Sequence, residues 1–205
     1  MTETYSHKAR IAAAAIASLE IIALSLQTGL GTARDGSALL AIAGMFRFFT
    51  IWTNFAVAIL LGLVALGRNV SDRVLLSLET AIAIVAIVYH LLLAQLMHET
   101  GAGWWTNQVF HSAAPVLTIG WWLAFSRGRM AEWRDVWWVM AAPIVYTATI
   151  LAIAQHTHFY PYFFLDVAQF GWARVGFNII GLGIGFLLMG AALLGIGRAI
   201  TRKRG

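Results

Sequence analysis

The sequence predicts an all-α polytopic membrane protein, a bundle of six transmembrane helices with both termini cytoplasmic and residues 1–205 forming one domain. Three observations carry that prediction. Hydrophobic residues make up 60% of the chain and charged ones 11%, with a mean hydropathy of +0.76, a balance that would leave a water-soluble globule covered in apolar surface. Six apolar stretches are each long enough to cross a hydrocarbon core of ~30 Å, which takes ~20 helical residues. The basic residues fall in short clusters between those stretches, where they act as topology signals, so the net charge of +5 does not point to nucleic acid.

The first stretch, 10–30, follows Lys8 and Arg10 as a signal peptide would, but its apolar run continues to about Leu30 and is long enough to stay as a span. The second, 38–66, carries FFTIWTNF, Phe48 to Phe55, in its first half. The third, fourth and fifth cover 74–97, 105–126 and 135–155. The sixth, 171–198, contains GLGIGFLLMGAALLG, whose small residues at helical spacing let neighbouring helices approach. No internal repeat supports an inverted-repeat transporter. Cysteine is absent, which excludes disulfides, a thiolate nucleophile and iron–sulfur clusters.

With six crossings, Lys8, Arg10, Arg68, Arg73, Arg127, Arg129, Arg134, Arg198, Arg202, Lys203 and Arg204 fall on one side, and Arg34 with Arg174 on the other. The positive-inside rule makes the first side cytoplasmic. The outer loops are then 31–37, 98–104 and 156–170, rich in Trp and Tyr as membrane interfaces are.

Orientation ranks the intramembrane polar residues by depth. Thr50 lies 16 residues above Leu66, ~24 Å at 1.5 Å per residue and hence ~6 Å below the outer boundary. His111, six residues past Trp105 on the descending fourth span, lies ~9 Å below it. Tyr89, His90, Gln95, Asn107, Gln108, Ser112, Tyr146, Thr147, Gln155 and Asn178 also fall in outer halves, whereas inner halves such as FAVAILLGLVAL are almost free of polar groups. Glu79 on span three and Glu20 near the middle of span one are the exceptions. The pattern predicts a polar cavity open toward the outer leaflet.

Arg47, Thr50 and Asn54, spaced i, i+3, i+7, would share one helix face, with Thr53 to one side. Asn107, Gln108 and His111 would share another. Single threonines and asparagines in membrane helices usually bond a neighbouring helix or their own i−4 carbonyl. A hydroxyl beside an imidazole can also be a nucleophile with its general base. Ser112 points about 100° away from the adjacent His111, so Thr50 at matched depth is the better partner. The chemical rival is zinc held by His156, His158, His111 and Asp166. Haem between helices is weaker, since no helix carries two histidines at the spacing that would address two stacked haems.

Three segments, FRFFTIWTN at the start of span two, NQVFHSAAP on span four and FYPYFFLDV in the last outer loop, resemble the androgen-induced family of multi-span membrane hydrolases, in that family's order and over most of the chain. The resemblance implies an intramembrane threonine hydrolase that cleaves fatty acid esters of hydroxy fatty acids, in a bacterial-type member of the plasma membrane. Thr50 is then the nucleophile and His111 its base, and this pair calls for no cofactor. Tyr160 or Tyr162, Pro161 and Asp166 take the loop's tyrosine–proline and acidic positions, with Phe163 where bacterial relatives carry a second proline. Within that chemistry Asn54, Asn107 and Gln108 are candidate oxyanion donors, and Arg47 or Arg174 suits the lipid substrate's free carboxylate. Arg174 equally suits an interfacial anchor. The alternative from another class is a non-catalytic lipid-binding or regulatory membrane protein.

Overall fold

The computed structural model describes residues 5–126 and 131–202; Arg127, Arg129, Lys203 and Arg204, used in the charge sorting, lie outside the described residues. Among the described residues every regular element is helical. α1 (His7–Asp35) starts at Ser6, whose hydroxyl accepts from the Ala9 N–H, and stops at Gly36, whose φ of 72° turns its own N–H back to the Thr32 carbonyl. α2 (Ala38–Met45) and α3 (Phe49–Ala65) form the expected span 38–66, but they meet at 102°. The expected span is therefore a bent pair of helices and not one continuous helix. Side chains from α3 and α7 hold the break: Trp52 Nε1–H donates to the Phe46 carbonyl at 2.8 Å and the Tyr146 hydroxyl to the Arg47 carbonyl at 2.7 Å.

α4 (Asp72–Val88) continues through a π turn (Tyr89–Leu93) and a 3₁₀ turn (Ala94–Leu96). α5 (Gly101–Gln108) passes through a second π turn (Val109–Ala113) into α6 (Ala114–Phe125). A 3₁₀ helix (Trp133–Met140) leads into α7 (Ala141–Thr157), and a 3₁₀ turn (Phe163–Leu165) into α8 (Val167–Arg202), which kinks at Gly171 with φ 72° and ψ 162°.

Four runs, His7–Asp35, Asp72–Leu96, Trp133–Thr157 and Val167–Arg202, are long and apolar enough to cross a membrane, and the bent α2–α3 pair makes five if it is one span. Gly101–Phe125 is not among them because Asn107, Gln108, His111 and four tryptophans dilute its apolar content. Large apolar side chains face outward throughout: Leu39, Leu66, Trp137 and Phe177 are 71–76% exposed. Such a surface belongs in lipid, and the protein is membrane-embedded.

The main core joins α1, α3, α4 and α6, with Ala9, Ala13 and Ala17 at four-residue spacing on the buried face of α1. Within the glycine-rich run of α8, Gly190 is where bare backbone matters, since a Cβ there would lie 2.9 Å from Val139 Cγ1, whereas Gly181 and Gly185 have open space. Basic residues gather where α1 begins and α8 ends. Arg10 Nε–H donates to the Ala65 carbonyl, Arg73 lies over the Trp138 ring, and Arg198 lies over Trp133 and donates to the Ala131 carbonyl. Glu20 and Glu79 are fully buried, and among the described residues neither carboxyl has a hydrogen-bond partner.

Candidate active site

The break after α2 sets Thr50 in the first turn of α3, with its side chain turned into the bundle. Its Oγ1 lies 3.3 Å from His111 Nε2, so the two residues matched by depth do meet. His111 sits at the centre of the second π turn, where the Ala114 N–H reaches back five residues to the Val109 carbonyl. Its Nδ1 lies 3.0 Å from the Asn107 carbonyl. A carbonyl only accepts, so Nδ1 carries the proton and Nε2 presents its lone pair to the Thr50 hydroxyl. The Tyr89 ring, in the first π turn, stacks on the imidazole at 3.9 Å and 17° and fixes its plane. The Tyr89 hydroxyl in turn accepts from Asn107 Nδ2. π turns are uncommon and gather at functional sites; here two of them clamp one imidazole.

Tyr162, buried in the loop between α7 and α8, approaches Thr50 from the opposite side. Its hydroxyl accepts from the Thr50 N–H at 3.5 Å and also interacts with the Thr50 and Tyr146 side chains. Burial pushes its ionisation up from the ordinary phenol range, so the hydroxyl keeps its proton for donation. The ring stacks on Phe164 at 5.2 Å and meets Phe48 edge-on at 6.0 Å, which aims the hydroxyl.

Other expected site residues are placed differently. Arg47 lies in the break, off the helix, so it does not share a face with Thr50 and Asn54; its guanidinium stands 4.9 Å over the Phe159 ring. Asn54 donates to the Thr50 and Phe110 carbonyls at 2.7 and 3.4 Å, which ties α3 to the second π turn and leaves no donor for an oxyanion. Asn107 is engaged with Tyr89, and Gln108 accepts from Ser112. Ser112 lies 3.1 Å from His90 Nε2, but its proton goes to Gln108, so His90 is the donor there and no second nucleophile forms. Of the two loop tyrosines it is Tyr162, and not Tyr160, whose hydroxyl accepts from the Thr50 N–H. Asp166 accepts from the Gln169 N–H and caps α8. Arg174 is exposed on α8, in a separate groove with Asn178 and Phe164.

A cavity of about 330 Å³ is lined by Thr50, Tyr146 and Tyr162 together with residues of α4 and α8, and with Met140, Gly183 and Phe186 in its wall. Its wall is almost entirely apolar. This cavity is not the polar one expected, and among the described residues polar side chains of the outer halves bond each other, as in Thr106 with Gln27 and Asn107 with Tyr89. The arrangement is a hydroxyl and a phenol in the wall of a hydrocarbon pocket, with an imidazole 3.3 Å from the hydroxyl.

The zinc alternative loses its ligand set. His156 lies in the last turn of α7 and His158 caps it at φ 53°, both exposed, while Asp166 is a helix cap. Among the described residues, no three His, Cys, Asp or Glu side chains are placed to share a metal ion. Against protein-family models, curated proteins and solved structures, the chain finds no match.

Proposed function

We propose that the protein is an intramembrane threonine hydrolase of lipid esters. The observation that carries this reading is the Thr50 Oγ1 to His111 Nε2 contact of 3.3 Å, with the imidazole tautomer fixed as an acceptor, where Thr50 also lines an apolar cavity. In this mechanism the acyl chain lies in the cavity and the ester carbonyl stands at Thr50. Thr50 Oγ attacks the carbonyl carbon as its proton passes to His111 Nε2, and the oxyanion takes a hydrogen bond from the Tyr162 hydroxyl. The imidazolium returns that proton to the leaving alkoxide, giving an acyl-threonine. Water then attacks with His111 again as base, which frees the acid and restores Thr50.

The resemblance to androgen-induced membrane hydrolases points to fatty acid esters of hydroxy fatty acids as the substrate. In the same reading the broken α2–α3 pair and Gly101–Phe125 complete six crossings. Both ends of the bundle's chain face the cytoplasm by the positive-inside rule, and Thr50 lies near the outer leaflet of the plasma membrane. A non-catalytic lipid-binding protein would use the same cavity, and turnover separates the two. Thr50→Ser retains part of the ester hydrolysis and Thr50→Val removes it, because only the hydroxyl is chemically required. Full activity in Thr50→Val would remove Thr50 as the nucleophile, and no turnover by the folded parent protein would leave lipid binding as the function.

A further inference from the structure

A second concavity, about 390 Å³, lies on the outer side of α8 and is walled by Leu92, Phe163, Phe170, Phe177 and Gly181, with Arg174 as its one charged group. Two of its wall residues, Phe164 and Leu182, also line the cavity at Thr50, so the two spaces share these side chains as a common wall. Phe164 is held in place from both sides: Asn178 Nδ2 donates to its carbonyl at 2.8 Å, and its ring stacks on Tyr162.

Among the described residues Arg174 has no acidic partner within ion-pair distance, although it stands among phenylalanines on a lipid-facing helix. The kink at Gly171 restarts α8 just before it, so Arg174 falls in a first helical turn, where the helix dipole also favours an anion. A guanidinium at the top of an apolar trough matches a carboxylate joined to a hydrocarbon tail. Arg174 and Leu182 are eight residues apart on α8, ~12 Å of helix axis, so the tail must be long to reach the shared wall.

We infer that this groove binds a single-chain, long-chain fatty carboxylate, head group on Arg174 and tail directed past Phe164 and Leu182 toward the Thr50 cavity. Binding stands apart from catalysis; only the groove's role as the lateral route to and from Thr50 rests on the proposed hydrolysis. A carboxylate-bearing substrate or product would then exchange with the outer leaflet here, without crossing the dry inner half of the bundle.

The test uses the full chain in phosphatidylcholine nanodiscs and a palmitic acid carrying a mid-chain diazirine. After irradiation, adducts are mapped by peptide mass spectrometry in the parent protein, in Thr50→Val and in Arg174→Gln. The inference expects labelling at Phe177, Gly181 or Leu182, unchanged in Thr50→Val and lowered roughly tenfold in Arg174→Gln, with the methyl ester of the probe indifferent to Arg174. Palmitate should compete and phosphatidylglycerol should not. Labelling that ignores Arg174→Gln, adducts found solely around Met140 and Leu151, or equal competition by phosphatidylglycerol would each overturn it. Because Arg174 is exposed, its glutamine variant should fold, and because Thr50→Val keeps the groove, loss of the hydrolase reading leaves the binding result intact.

Discussion

Replacing Tyr162 by Phe removes one oxygen and leaves the packing in place, because the ring keeps its stack on Phe164 and its edge contact with Phe48. The structure lets the stability and catalytic consequences be weighed separately. The hydroxyl's contact with the Thr50 N–H is long, 3.5 Å, so its loss should cost at most about 1 kcal/mol of stability. If the same hydroxyl donates to the oxyanion, its removal should lower kcat by roughly 10²–10³, about 2.7–4 kcal/mol of transition-state stabilisation. Tyr146→Phe is the contrasting variant. It breaks a 2.7 Å bond to the Arg47 carbonyl and leaves that carbonyl without its partner, so it should cost about 1–3 kcal/mol of stability. Its effect on kcat should be smaller than that of Tyr162→Phe. The assay pairs steady-state hydrolysis of a long-chain ester with thermal unfolding in the same detergent. Turnover of Tyr162→Phe within about threefold of the parent, which is under 1 kcal/mol, would make the hydroxyl a cap for α3 and refute its catalytic role.

Hydrolysis should fall as the pH drops, since His111 must be neutral for Nε2 to accept the Thr50 proton, and chelators should leave the rate unchanged; a rate that holds at acid pH would contradict the first, and a rate lost to EDTA and restored by zinc the second. Gly183→Leu should shorten the preferred acyl chain, because Gly183 lines the cavity and a Cβ there already meets Met140 Cε at 3.1 Å. Excluding two methylenes at ~0.8 kcal/mol each would lower kcat/KM for long esters about tenfold while sparing short ones, and an unchanged chain-length profile would place the acyl chain elsewhere. Glu79→Leu should raise the melting temperature, as it removes a fully buried carboxyl with no hydrogen-bond partner among the described residues, a group that costs about 1–3 kcal/mol. Destabilisation instead would mean that the Glu79 carboxyl is satisfied in the membrane.

The Thr50 and His111 pairing was legible because a helical rise of 1.5 Å per residue converts sequence position into depth, and two residues at one depth on neighbouring helices have few ways to miss each other. Apolar length and the placement of arginines likewise carried the helical membrane class. The break at Arg47 was not legible. Phe46, Arg47 and Phe48 contain no Pro or Gly, and the groups that hold the bend, Trp52 Nε1 and the Tyr146 hydroxyl, include one 99 residues away. The choice of Tyr162 over Tyr160 failed to emerge for a related reason: loop side chains follow no helical period, so neighbours two apart cannot be ranked. A usable signal was the aromatic run itself, since Tyr162 is the member that packs between Phe48 and Phe164. Reading a polar cavity from the polar outer halves overlooked that amides and hydroxyls on neighbouring helices satisfy one another, as Asn107 and Tyr89 do, and leave the wall at Thr50 apolar.

The catalytic claim for Thr50 is tested most directly by covalent capture. The purified protein is treated with a long-chain fluorophosphonate, digested, and the modified peptide sequenced by mass spectrometry, with Thr50→Val and His111→Ala alongside. A single adduct on Thr50, absent in Thr50→Val and strongly slowed in His111→Ala, is the predicted result. An adduct on another residue, or no adduct on folded and ester-cleaving protein, would contradict Thr50 as the nucleophile.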